Sequence, residues 1–319
     1  MNAGTHSFDM PFHDGEVEVQ TRLGVHERSA MMGRRVIRPY LVDQHRDFFS
    51  KLGFLVVGAA DGQGRLWASA LSGAPGFLST PDDMTLAVAA MPGMGDPVAE
   101  AIRTGADIGV LGMLPAERRR NRMTGQVGVV RDGGFDIHVL QSFGNCPQYI
   151  QARTIETPDR PAPSSGATVS DRFDAEAIRQ ISEADALFIA SAYRDGDGAE
   201  QGADASHRGG KPGFVKLLDD RSFVFPDFRG NNAYNTIGNI VRNPKTGFLF
   251  IDFETGDMLT MTGESTIIWD GPEVEAFEGA QRLVQFEATE VRRIKGGFAN
   301  RSAFIGYAPQ LARTGAWAE

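Results

Sequence analysis

Two short, unbroken apolar runs stand at corresponding places in the two halves of the chain. They are Phe54-Leu55-Val56-Val57-Gly58-Ala59-Ala60 and Leu187-Phe188-Ile189-Ala190-Ser191-Ala192. Runs of this length bounded by turn residues predict strands. A Gly/Asp-rich turn follows each, Asp61-Gly62-Gln63-Gly64 and Asp195-Gly196-Asp197-Gly198. Ahead of each run the apolar spacing becomes helical, over Leu41 to Leu52 and over Asp174 to Ile181, with Asp174 placed to cap the second helix. Later in the second half, Ser222-Phe223-Val224-Phe225, Phe248 to Phe253 and Met258 to Thr262 predict three more strands. Thr255-Gly256 marks a hairpin between the last two. A helix over Ala233 to Arg242 presents Tyr234, Ile237, Ile240 and Val241 on one side. A counterpart falls near Val98 to Arg103.

The two halves match more closely still. Ala68-Ser69-Ala70-Leu71-Ser72-Gly73-Ala74-Pro75-Gly76-Phe77 aligns without gaps to Ala205-Ser206-His207-Arg208-Gly209-Gly210-Lys211-Pro212-Gly213-Phe214, and Met123-Thr124-Gly125 echoes Met261-Thr262-Gly263. These features keep their order and spacing, which indicates an internal duplication. The Pro/Ser-rich stretch Thr157 to Gly166 reads as a linker. The expected organisation is a first barrel over residues 1–157, a linker over 158–169 and a second barrel over 170–319. Mostly antiparallel strands with one or two helices per half predict a mainly β (α+β) fold of two tandem small barrels with short flanking helices.

Composition agrees. Gly and Pro account for 54 of 319 residues, above the roughly 12% average, which favours turns and strands. The net charge is −9. No basic stretch is interleaved with aromatics, so nucleic acid is not an expected partner. The one dense basic run, Arg118-Arg119-Arg120-Asn121-Arg122, reads as a solvated loop. Cys146 is the only cysteine, which excludes an intrachain disulfide and a thiolate cluster. The six histidines show no ligand spacing, so no metal site is expected. Neither a signal-peptide pattern nor an apolar span is present, so the expectation is a cytoplasmic protein that does not engage a membrane.

The chemistry concentrates in the second half. Arg208 lies two residues after Ser206. Downstream runs Pro226-Asp227-Phe228-Arg229-Gly230-Asn231-Asn232-Ala233-Tyr234-Asn235-Thr236. A helix start offers unpaired N–H groups and partial positive charge, which suits a phosphate. An arginine adds a planar fork of donors. Alternation along a strand points Asp204, Ser206 and Arg208 to one side. Asn231 can cap the helix, Asn232 can add a donor, and Asn235 lies one turn further on. The aligned first-half residue is Leu71, so one such site is expected per chain. A plainer reading also stands: Arg208 paired with Asp204 or Asp227, Asn231-Asn232 as ordinary turn residues, and Tyr149 as a core aromatic.

The second half resembles the pyridoxamine 5′-phosphate oxidase-like family of FMN-binding split barrels. The likeness rests on Ala203 to Gly210, Pro212-Gly213-Phe214-Val215, Phe225-Pro226-Asp227, Gly230-Asn231-Asn232 and Phe253-Glu254-Thr255-Gly256-Asp257 ahead of Thr262-Gly263. It spans roughly Asp185 to Trp269, and the first half looks like a diverged member. The resemblance implies FMN at the junction of two barrels, here a pseudo-dimer within one chain, with a homodimer also open. It implies a flavin-dependent oxidoreductase with a small-molecule substrate or an electron donor such as NAD(P)H. Gly144 to Gln151 is similar to a segment at the barrel–barrel seam, which brings in Asn145 and Tyr149. The implied cofactor residues are Ser206, His207, Arg208, Phe225, Pro226, Gly230, Asn231, Asn232, Asn235, Asn145 and Tyr149. Phe225-Pro226 is expected to wall the flavin ring, and Tyr149 to stack on it.

No catalytic residue is recognisable, nor are the substrate-phosphate residues of true pyridoxamine phosphate oxidases. Ser206 and His207 are adjacent on a strand and face opposite sides, so they form no nucleophile–base pair, and no Gly-x-Ser-x-Gly elbow occurs. The alternative is a non-catalytic flavin or haem binder, with His207 the haem-ligand candidate. Cys146 reads as an inert thiol.

Overall fold

The computed structural model describes residues 11–74, 76–158 and 166–317. Pro75 of the aligned segment and residues 159–165 of the linker lie outside them. Helices α1 (Asp14–Arg22), α2 (His26–Val36) and α3 (Asp43–Ser50) precede a first sheet. Its strands are β1 (Phe54–Ala60), β2 (Leu66–Ser72), β3 (Leu78–Ser79), β4 (Thr85–Val88), β5 (Asp107–Leu114), β6 (Arg119–Arg131) and β7 (Gly134–Asn145). Their order across the sheet is β2-β1-β5-β6-β7-β4-β3.

After β8 (Ala152–Glu156), β9 (Ala167–Ser170) and helix α4 (Ala175–Glu183) comes a second sheet. It contains β10 (Ala186–Tyr193), β11 (Gly202–Gly209), β12 (Lys216–Leu217), β13 (Ser222–Phe228), β14 (Lys245–Ile251), β15 (Met258–Ile268) and β16 (Ala280–Ile294). Helix α5 (Asn235–Arg242) joins β13 to β14, and α6 (Pro272–Glu275) precedes β16. The order is β11-β10-β14-β15-β16-β13-β12, with β9 added beside β16. Shifted by nine strands, the two orders are identical. Strand β17 (Arg301–Gly306) returns to pair with β8. All of the strand pairing among the described residues is antiparallel, and the fold is mainly β with two tandem split barrels.

The aligned segments occupy equivalent registers. Ser69 lies opposite Val57 and Ser206 opposite Ile189. Each Met-Thr-Gly carries a bulge between its Thr and Gly. The apolar runs are unbroken because both strand faces are buried. On β1, Leu55 and Val57 enter the first barrel's core while Phe54 and Val56 enter the seam between barrels. On β10, Leu187 and Ile189 enter the second core while Phe188 and Ala190 meet the seam. The barrels approach backbone to backbone. A Cβ on Gly109 would lie 2.4 Å from the Asp204 Cα, and one on the equivalent Gly247 would lie 2.5 Å from the Leu66 carbonyl.

Several expectations change. Arg118-Arg122 is not a solvated loop. Arg118 makes the turn, with φ 50°, and from Arg119 onward the chain is strand β6, held between β5 and β7. Hydrogen bonding on both sides overrides the basic composition. The second-half helix begins at Asn235, not Ala233, because Asn232 and Tyr234 both take left-handed backbone at φ 62°. The helix foreseen near Val98 to Arg103 is a single 3₁₀ turn, Pro97–Glu100. Asp174 does cap α4, accepting from the Ala177 N–H at 2.9 Å. Helices α1 and α2 were not foreseen. Helix α1 crosses α5, and its Val19 joins the second barrel's core, although sequence order groups residues 14–22 with the first. Among the described residues, no helix is long and apolar enough to cross a membrane, and no His/Cys/Asp/Glu cluster is arranged to hold a metal.

Candidate functional site

A cleft opens where the barrels meet, with about 720 Å³ of empty space including its mouth. The first barrel contributes Arg120 and Arg122 from β6, Asn145 from the end of β7, and Cys146, Gln148 and Tyr149 from the segment beyond. The second contributes His207, Arg208 and Gly209 from β11, Pro226, Asp227 and Phe228 from β13, and Gly230 to Asn232 and Tyr234 to Ile237 around the start of α5.

The start of α5 forms one wall. The first intrahelical bond runs from the Gly238 N–H to the Tyr234 carbonyl at 2.7 Å. The N–H groups of Asn235, Thr236 and Ile237 precede it and have no acceptor within the helix. Asn231 does not cap the helix. Its Oδ1 accepts from the Ala233 N–H at 3.1 Å, closing a local turn, and its Nδ2 donates across the seam to Asn145 Oδ1 at 3.2 Å. Three of the four non-glycine residues with positive φ among the described residues, Tyr149, Asn232 and Tyr234, line this one cleft. Such conformations persist where the surroundings enforce them, and they gather at ligand clamps.

The cleft is rich in positive charge. Arg208 Nε donates to Asp227 Oδ1 at 3.1 Å, and the buried Arg282 holds the other oxygen of that carboxylate at 2.5 Å. Arg122, 5% exposed, pairs with Asp204. Its Nε is buried without a partner. Arg120 donates to the Cys146 carbonyl at 2.8 Å and to His207 Nδ1 at 3.0 Å, and no carboxylate pairs with it among the described residues. Burial, and then Arg208 and Arg122 beside it, push its pKa down to about 9, which still leaves it charged at neutral pH. Burial, and then Arg120 and Arg208, hold His207 well below its ordinary pKa, so the imidazole is neutral and its Nδ1 accepts a hydrogen bond from Arg120. Four guanidinium groups thus face two carboxylates, leaving two positive charges unbalanced.

Of the residues expected from sequence, His207, Arg208, Pro226, Gly230, Asn231, Asn232, Asn235, Asn145 and Tyr149 line the cleft. Two do not. Phe225, expected as a wall, does not line the cleft. It is 1% exposed in the second barrel's core, 5.7 Å from the Phe248 ring, because alternation turns it inward while Pro226 faces out. Ser206 sits behind the cleft, accepting from Thr236 Oγ1 at 2.9 Å and donating to Asp204 Oδ2 at 3.2 Å. The Asn235 side chain is already engaged at both ends, by Arg122 at 3.0 Å and by Glu16, so its backbone N–H is what it offers. Tyr149 packs 5.0 Å from the Phe228 ring, and its hydroxyl donates to the Arg229 carbonyl at 3.2 Å.

Sequence reading missed Arg120, Arg122 and Gln148. The basic run that holds both arginines was visible, but not that it is a strand with alternate residues turned to the seam.

The equivalent place on the other side carries no such set. Applying the spacing between Met123 and Met261, Met258 stands for Arg120 and Thr260 for Arg122. In the β2/β11 alignment, Ala70 stands for His207 and Leu71 for Arg208. Ala70 and Met258 belong to the apolar seam.

Residues 173–304 match the family model described as pyridoxamine 5′-phosphate oxidase. The second barrel is a pyridoxamine 5′-phosphate oxidase-like domain. No curated protein matches this chain. Among solved structures, a variant of Group A Streptococcus HupZ is 16% identical, with 38% of this chain and 98% of that one covered at a TM-score of 0.30. A candidate pyridoxamine 5′-phosphate oxidase of Lactobacillus delbrueckii is 16% identical, with coverages of 38% and 94% and a TM-score of 0.29. A candidate 5-nitroimidazole resistance protein of Bacteroides thetaiotaomicron is 10% identical, with coverages of 44% and 94% and a TM-score of 0.27.

Proposed function

We propose that the inter-barrel cleft of this pyridoxamine 5′-phosphate oxidase-like protein binds FMN, one per chain, and that the protein is a flavin-dependent oxidoreductase acting on a small molecule. The observation that carries the reading is Arg120, a cation at the seam with no carboxylate partner among the described residues, beside the free N–H groups that open α5. A dianionic phosphate ester offsets the surplus charge of the cleft and accepts from those groups.

Arg120, Arg208 and the amides of Asn235, Thr236 and Ile237 would hold the phosphate. Tyr149, Phe228 and Pro226 supply apolar surface for a flat ring. Bound FMN would supply electron-transfer chemistry at its ring, and the protein's part is placement and electrostatics. His207 is held neutral, and its Nδ1 is engaged by Arg120.

The test is titration of the purified protein with FMN, followed by flavin absorbance and fluorescence. Saturable binding near one FMN per chain supports the reading, and no binding removes it. A Soret band on haem addition without any FMN response would favour a haem carrier instead. Anaerobic mixing of the loaded protein with NAD(P)H then separates an enzyme, whose flavin bleaches, from a carrier, whose flavin stays oxidised.

A further inference from the structure

Three side chains from α1 and α2 reach the loop that forms the cleft's wall. Ser29 Oγ donates to the Asn232 carbonyl at 3.0 Å, and Gln20 Nε2 donates to the Ala233 carbonyl at 3.0 Å. Glu16 Oε1 accepts from the Asn235 carboxamide. His26 is linked to the amide oxygen of Gln20 through its Nδ1 at 3.1 Å. These bonds bracket Asn232 and Tyr234, the two residues in left-handed backbone. Left-handed backbone is disfavoured for residues other than glycine, and more for Tyr234 than for Asn232, so contacts from outside the loop help it to keep that shape.

The crossing of α1 over α5 is close enough to give that support. A Cβ on Gly15 would lie 2.4 Å from the Gly238 carbonyl, and one on Gly238 would lie 2.6 Å from the Glu16 N. Only two glycines allow this approach, and it is what delivers Glu16 to Asn235. Gln20 is fully buried and Ser29 is 6% exposed. None of Glu16, Gln20 and Ser29 lines the cleft.

We infer that α1 and α2 form a clamp that sets the phosphate-binding shape of the 230–235 loop. Glu16, Gln20 and Ser29 act as positioning residues that select for a phosphate ester without touching it. This rests on the FMN reading above. The clamp holds the loop carbonyls on the far side, which leaves the N–H groups of Asn235 to Ile237 facing the cleft. Loosening the clamp lowers affinity for the phosphate end of the ligand and leaves the ring end unchanged.

Riboflavin shares the ring of FMN and lacks the phosphate, so the ratio of the two affinities is the readout. Full-length wild type, Gln20→Ala, Ser29→Ala and the double variant are titrated with both ligands. Wild type is expected to prefer FMN. The double variant should lose roughly tenfold in FMN affinity, as two neutral hydrogen bonds imply, with riboflavin affinity within about twofold of wild type. If the double variant fails to fold, Ser29→Ala alone should lower the FMN/riboflavin ratio about threefold. An unchanged ratio in the folded variants overturns the clamp and leaves the FMN reading standing. A wild type that binds FMN no better than riboflavin overturns the phosphate reading and the clamp together.

Discussion

Arg120 of the first barrel donates to Nδ1 of His207 in the second at 3.0 Å, across 87 residues of sequence. This bond joins the two halves of the duplication at positions where the copies differ, since Met258 stands for Arg120 and Ala70 for His207. A neutral imidazole accepts it and so fixes the guanidinium without neutralising its charge. Among the described residues no carboxylate balances that charge.

Arg208→Leu copies the first-half residue Leu71. It should weaken FMN binding about 10–100-fold, as loss of a charge-assisted donor implies. Asp227 keeps Arg282 as partner, so the fold should persist. Fluorescence titration beside a thermal melt checks both. Unaltered affinity would remove Arg208 from the site.

Arg120→Met places the second-half residue at its equivalent position. It should lower FMN affinity by a similar factor while raising stability slightly, because it relieves the crowding of Arg120 by Arg208 and Arg122. Paired denaturant and FMN titrations give the two signs.

Phe225→Ala should cost about 3–5 kcal/mol of stability through a cavity in the second core. It should leave the FMN/riboflavin affinity ratio of the remaining folded protein unchanged. A selective effect on ligand, read by titration at low temperature, would return Phe225 to the site.

Glu16 sets a pH dependence. Burial pushes its carboxyl up to about 8, from 4.5 in an open chain, with Asp204 adding to the rise and Arg122 opposing it. The folded state therefore binds this proton more tightly than the unfolded state. Its contribution to stability is complete below about pH 4.5 and is lost as pH rises through 8. His13 is buried beside it, and burial lowers the His13 pKa. Glu16→Gln should flatten the decline between about pH 4.5 and 8 in urea melts. A decline of wild-type slope in that variant would assign the effect elsewhere.

Gly109→Val and Gly247→Val each drive a side chain into the opposing barrel's backbone. Each should cost about 3 kcal/mol. Limited proteolysis should then cleave each variant sooner than wild type.

Much of the fold was legible because short-range physics writes it. The apolar runs at Phe54 and Leu187, the turns after them and the Thr255-Gly256 hairpin are local signals, and the repeat made each half a check on the other. The Asn231-Asn232 turn and Arg208 were legible for the same reason as residues to be grouped together, and they line one cleft. Phe225 and Ser206 were misplaced because alternation names two faces without saying which one meets the ligand. The N-terminal helices went unread, since their partners, such as Asn239 for His13 at 2.9 Å, lie more than 200 residues away.

By itself the sequence determined a duplicated succession of mostly antiparallel strands and a donor-rich helix start in only the second copy. These follow from side-chain period, turn chemistry and the order of residues along the chain. Tertiary structure alone decided that the basic run becomes a strand at the seam from Arg119 onward, that Arg120 has no carboxylate partner among the described residues, and that α1 crosses α5 to reach the loop. Those outcomes depend on which surfaces meet when the barrels pack, and packing brings together charges whose separation in sequence carries no information about their distance.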